Sequence, residues 1–128
     1  MGFNSSSGVT QVTGNVNTNA SFATPTTLKV AKTILHNGNA SKQTAYTVPA
    51  GKRFHLFSAS ISANVIINGR VYDVGDTNLL CNIFSAANTG TQTDGGGVAM
   101  ETYEAGDVVS VLVTAGNNIK LTGVLETV

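Results

Sequence analysis

The chain has 128 residues, of which only 11% are charged, with seven basic and seven acidic side chains, no Trp and one Cys. That length allows one domain with a real core, while zero net charge argues against sequence-independent nucleic-acid binding, which needs clustered cations to displace counterions. No apolar run approaches the ~20 residues that span a bilayer, and the N-terminus lacks the basic start and apolar stretch of a signal peptide.

Residues 1–28 contain no Asp, Glu, Lys or Arg, and the first charge is Lys29. Short polar residues dominate this leader, with scattered Val and Phe. It has neither the good helix formers nor the 3.6-residue apolar stripe of a helix, and it lacks the net charge that keeps a solvated tail from collapsing. It reads as an extended arm over 1–27, suited to hydrogen-bonding along another protein surface. Val9, Val12, Val16 and Phe22 are its candidate apolar anchors. The alternative is that the arm folds back as an edge strand of its own domain.

A β domain over 28–128 is expected next, because Thr, Asn, Ser and Gly suit pleated surfaces and tight turns. Strands are predicted over 27–36, 43–48 and 53–62, the last two joined by the turn Pro49-Ala50-Gly51 and the third alternating with Phe54 and Leu56 on one face and His55, Phe57, Ala59 and Ile61 on the other. Asn68-Gly69, between the runs Val65-Ile66-Ile67 and Arg70-Val71-Tyr72, predicts a two-residue type I′ hairpin, whose central positions both need positive φ. Residues 79–86 form a further strand, and 87–97 a polar loop. Strands over 98–103, 108–114 and 119–125 follow, with turns at Glu104-Ala105-Gly106-Asp107 and Ala115-Gly116-Asn117-Asn118. About eight strands at 8–12-residue spacing predict an all-β, antiparallel β-sandwich. A jelly roll and an immunoglobulin-like topology both satisfy the pattern.

Charge is divided along the chain: residues 1–72 hold six bases and no acid, and 73–128 hold seven acids and one base. Interleaved strands would mix the two halves on an ordinary surface. Alternatively, a basic edge and an acidic edge would attract copies head to tail, with Lys52 and Arg53 facing Glu101 and Glu104 of a neighbour.

The search for chemistry returns little. Cys81, inside Leu80-Cys81-Asn82-Ile83, reads as a small buried residue, and a single cysteine excludes an internal disulfide or a multi-cysteine zinc site. His36 and His55 fall on different strands without adjacent ligands. Asp73, Asp76 and Asp94 lack calcium-loop spacing, and Gly95-Gly96-Gly97 is not followed by the Lys-Ser/Thr of a phosphate loop. With no nucleophile, base and oxyanion site in view, no catalytic, metal or cofactor residues are assigned and no enzyme is expected.

Two segments carry a resemblance. Tyr46-Thr47-Val48-Pro49-Ala50-Gly51-Lys52-Arg53-Phe54 is similar to the strand–turn–strand element of small bacteriophage virion proteins, and so is Tyr103-Glu104-Ala105-Gly106-Asp107-Val108-Val109-Ser110-Val111. The leader Gly8-Val9-Thr10-Gln11-Val12-Thr13-Gly14-Asn15-Val16 resembles those of phage decoration and fibre proteins. The resemblance implies a jelly-roll-like capsid decoration (cement) protein, a homotrimer bound to the major capsid protein or another virion subunit where capsomers meet. It implies a location in the virion, assembled in the host cytoplasm, without cofactor, nucleic acid or membrane. The alternative it leaves is a tail or fibre head domain that binds host glycan through residues 87–97 and the tip at Asn68-Gly69.

Overall fold

The computed structural model describes residues 28–128; the expected arm and its anchors Val9, Val12, Val16 and Phe22 lie outside the described residues. Nine β segments follow one another without a helix: β1 Leu28–Asn37, β2 Lys42–Thr47, β3 Lys52–Ala63, β4 Ile67–Tyr72, β5 Leu79–Ser85, β6 Thr89–Asp94, β7 Glu101–Tyr103, β8 Val108–Val113 and β9 Asn118–Thr127. They form two antiparallel sheets. Sheet A has the order β1-β9-β3-β6, with β7 also on β3, and sheet B the order β2-β8-β4-β5.

The pairing is nested. β4 pairs β5, β3 pairs β6 and β7, β2 pairs β8, and β1 pairs β9. A long hairpin rolled up on itself gives this arrangement, which is that of a jelly roll. An immunoglobulin sandwich would set the first strand beside the second, whereas here β1 lies beside β9. Because β6 and β7 follow each other along the same edge of β3, the nine segments act as eight strands.

Alternation supplies the core. Val109, Val111 and Val113 of β8 face Phe54, Leu56, Ala59 and Ile61 of β3, with Ile119 and Leu121 of β9 and Ile67 and Val71 of β4 completing the buried cluster. Tyr46 meets the edge of the Phe54 ring at 5.6 Å between centroids, a geometry that aromatic quadrupoles favour.

Three local expectations are corrected. β4 runs unbroken through Asn68-Gly69, and neither residue has positive φ. Gly69 faces inward, where a Cβ would stand 2.9 Å from Ile61 Cγ2, so the glycine serves close sheet packing rather than a turn. The expected loop over 87–97 contains strand β6 on the edge of β3. Strict alternation also fails in β3: a register shift between Leu56 and Ser58 makes Phe57 an extra residue and returns Ala59 and Ile61 to the inward face of Phe54 and Leu56.

Two of the expected turns, at Pro49-Ala50-Gly51 and Glu104-Ala105-Gly106-Asp107, stand as read and meet in space. Gly51 and Gly106 adopt φ of 75° and 89°, values that cost glycine little. Val48 N–H donates to the Asp107 carbonyl at 3.0 Å and Gly106 N–H to the Val48 carbonyl at 2.9 Å. The Pro-Ala-Gly and Ala-Gly-Asp turns thus close one end of the sandwich together.

Candidate assembly surfaces

Leu28, the first described residue, pairs with Thr127, which also pairs with Lys52. β1 therefore begins at the end of the sandwich closed by the two glycine turns. On the outer face of sheet A at that end, Glu126 of β9 sits between Lys29 of β1 and Arg53 of β3. Its carboxylate is 2.8 Å from His55 Nε2 and accepts from Arg53 Nη1 at 3.4 Å. The hydrogen bond from His55 lowers the Glu126 carboxyl below its ordinary value, with Lys29 and Arg53 adding to the effect. His55 Nδ1 is 3.0 Å from Thr102 Oγ1, so both ring nitrogens are engaged.

Arg53 directs its Nε to both oxygens of Glu104 at 2.9 Å, and this charged acceptor raises its already high pKa. The expected partners Arg53 and Glu104 are therefore paired within one chain. Lys52 donates to Thr127 Oγ1 at 2.8 Å, and Glu101 accepts the Val74 N–H at 3.2 Å. Of the four candidates, the fold unites two in an ion pair and sets the other two apart. Glu126 escaped sequence reading because nothing near it in the chain announces a partner; Lys29 and Arg53 reach it only through strand register.

The outer face of sheet B has a different chemistry. Lys42 Nζ lies 4.4 Å from the Tyr72 ring centroid and 3.1 Å from Asp76 Oδ1. Asp73 accepts the N–H groups of Thr77 and Asn78, which hold its carboxyl below its ordinary value and fasten the turn beside it. At the free edge, Leu79 and Phe84 of β5 are 48% and 59% exposed. Arg70, cross-strand from Asn82, has an Nε shielded from solvent and without an acceptor among the described residues.

Depressions in the surface are shallow. One of about 390 Å³ is lined by Ser60, Ser62, Asn64, Asn118 and Lys120 among others, with no aromatic side chain. Sugar sites place apolar and aromatic surface beside a few polar groups, and this depression has none of that stacking surface. The two surfaces expected for glycan are strand β6 and the middle of β4, not a loop and a tip.

Among the described residues, no three His, Cys, Asp or Glu side chains converge on a metal position. His36 Nε2 is engaged by Gln43 at 3.0 Å. The Cys81 thiol is pushed up by burial, which disfavours the nucleophilic thiolate.

No protein-family model matches the chain, and no curated protein matches it. Solved structures similar to it include a Bacillus endospore appendage protein, described among disulfide-linked pili, at 14% identity over 87% of this chain and 96% of that one, with a TM-score of 0.45. A nucleoplasmin-like N-terminal domain from Drosophila is 12% identical over 84% and 96%, with a TM-score of 0.48. A chain of a cyanophage capsid asymmetric unit is 12% identical over 85% and 94%, with a TM-score of 0.36. The jelly-roll assignment rests on strand order and not on these likenesses.

Proposed function

We propose that this chain is a structural virion protein, a capsid decoration or cement protein that binds as a homotrimer with arm exchange where capsomers meet. In this reading, residues 28–128 form a self-sufficient jelly roll, and residues 1–27 are an arm laid along a neighbouring protein surface. The observation that carries the reading is the junction at Leu28. A leader without a single charge runs straight into β1, an edge strand of sheet A, at the end of the sandwich where two glycine turns meet.

Strand addition gains affinity from backbone hydrogen bonds and selects its site through alternate side chains. Val9, Val12, Val16 and Phe22 are the selecting groups. Among the described residues, Lys52 is bound only to the Thr127 hydroxyl and Glu101 only to the N–H groups of Val74 and Thr102, so both keep charge to offer a neighbouring copy. A jelly roll hosts many functions, so the arm and the surfaces, rather than the fold, support the reading. No catalytic step enters it.

Deletion of residues 1–27 tests the proposal. The truncated chain retains the β-type circular dichroism of the full chain but no longer sediments with heads of the phage that encodes it. Undiminished binding of the truncated chain to heads would refute the decoration reading. Light scattering of the full chain checks the trimer against three times 13.1 kDa.

A further inference from the structure

An exposed sheet edge is a template for another strand, and proteins blunt such edges with charge, proline, bulges or short length. The four free edges of this sandwich are not equally blunted. β1 carries Lys29 and Lys32, β2 carries Lys42 and a bulge, and the β6–β7 edge carries Asp94 and Glu101. β5, Leu79-Leu80-Cys81-Asn82-Ile83-Phe84-Ser85, has neither a charge nor a proline. Its single device is a bulge at Leu80, near its start. Among the described residues, β5 pairs only with β4.

Among the described residues, nothing covers the outer face beside this edge either. Leu79 and Phe84 are about half exposed, and the Arg70 Nε is shielded without an acceptor, a condition that costs stability unless a partner arrives. Aromatic side chains and arginine are enriched at protein interfaces, and Phe84 stands diagonal to Arg70 across the β4–β5 ladder.

We infer that the free edge of β5 is the acceptor for residues 9–16 of a second copy's arm, which adds to sheet B as a fifth strand; this rests on the arm-exchange reading above. Three features of the arm fit. It is as free of charge as the edge it would meet. The eleven residues 17–27 between this segment and β1 reach about 40 Å when extended, enough to cross to a neighbour. Val12 and Val16 share one face of a strand and stand about 13 Å apart. The bulge at Leu80 brings Leu79 to the same face as Phe84 at a comparable spacing, so each valine meets one apolar side chain of β5. Carbonyls and Asn side chains of the arm supply acceptors for Arg70 without introducing a buried carboxylate.

Hydrogen exchange read by mass spectrometry on the full chain, at two protein concentrations, tests the inference. Residues 81–85 and 9–16 gain protection together, by at least about tenfold, as concentration rises through the range of assembly. The variant Val12→Lys/Val16→Lys, whose substitutions precede residues 28–128, loses both protections and leaves β3 and β8 unchanged. Protection independent of concentration would mean that each arm folds onto its own β5, and would overturn the inference. Protection of 81–85 that survives the arm variant would assign the edge to another strand, with the same consequence. If 81–85 exchange freely while head binding still requires residues 1–27, this inference fails and the decoration reading stands.

Discussion

Tyr103 donates its hydroxyl to the Tyr72 carbonyl across 2.8 Å, a bond from β7 of sheet A to the end of β4 in sheet B. The ring is fully buried and packs at 6.2 Å from Phe54. It is one of the few polar ties across an otherwise apolar interior. Burial holds the hydroxyl well above its ordinary pKa, so it remains a donor through the neutral range.

Tyr103→Phe keeps the ring and strands the carbonyl. A buried acceptor left without its donor costs about 1–3 kcal/mol. Urea unfolding checks this: the midpoint falls with an unchanged slope, because the surface exposed on unfolding is the same. An unchanged midpoint would mean that solvent already satisfies the Tyr72 carbonyl.

Asn68 and Gly69 separate a strand from a hairpin experimentally. In a type I′ turn Asn68 would need positive φ, and a β-branched replacement would be severely strained. In the continuous strand β4, Asn68→Thr stays within about 0.5 kcal/mol of the parent, the range of ordinary surface changes. Gly69→Ala behaves oppositely, since its methyl would press on the buried Ile61, and overpacking costs about 1–3 kcal/mol. Thermal melts of the two variants decide the matter: a large loss with Asn68→Thr would argue for a turn.

These particulars mark how far the sequence could be read. Strands that bury one face, such as β8 with Val109, Val111 and Val113, announce themselves by alternation. The turns at Gly51 and Gly106 do so through glycine chemistry. β6, Thr89–Asp94, has no buried residue and hides in a segment with loop composition; only its place on the edge of β3 makes it a strand. Asn68-Gly69 misleads because its turn chemistry is local, whereas Gly69 answers to a neighbour on the opposite sheet. At the candidate surface, Arg53 and Glu104 stand out because each borders a recognisable turn, but as partners between copies; their pairing within one chain follows from the fold. Glu126 and Arg70 depend on register and on missing partners, which a one-dimensional pattern does not contain.

Charge reversal distinguishes pairing within the chain from pairing between copies. Arg53 and Glu104 satisfy each other in one molecule, so Arg53→Glu lowers the unfolding midpoint and the double reversal with Glu104→Arg recovers part of it, the contact of Arg53 with Glu126 being lost in both. The oligomer mass stays constant throughout, measured by light scattering at low and high salt. Lys52→Glu, by contrast, lowers the mass at low salt and Glu101→Lys on the same chain restores it. A constant mass in the Lys52→Glu variant would remove these two residues from the contact between copies.

Acid should act chiefly through two carboxylates. Hydrogen bonding holds Glu126 below its ordinary value of 4.5 and Asp73 below 3.8. For a depressed carboxylate the folded state binds fewer protons than the unfolded state. Its stabilisation is therefore full above the ordinary value and disappears as pH falls through the lowered one. The chain accordingly keeps the Glu126 and Asp73 contributions down to about pH 5 and loses them progressively below. Glu126→Gln retains an acceptor for His55 but abolishes the charge beside Lys29 and Arg53. Its urea midpoint lies below the parent's at pH 7, and the gap narrows at pH 3, below the ordinary carboxylate value, where the unfolded chain has taken up the proton that the folded state resists. Asp73→Asn adds independently, because its partners Thr77 and Asn78 belong to the turn after β4 and share nothing with the Glu126 cluster. A gap for Glu126→Gln that is equally wide at both pH values would show that the carboxylate acts by shape and hydrogen bonding alone, and not through its charge.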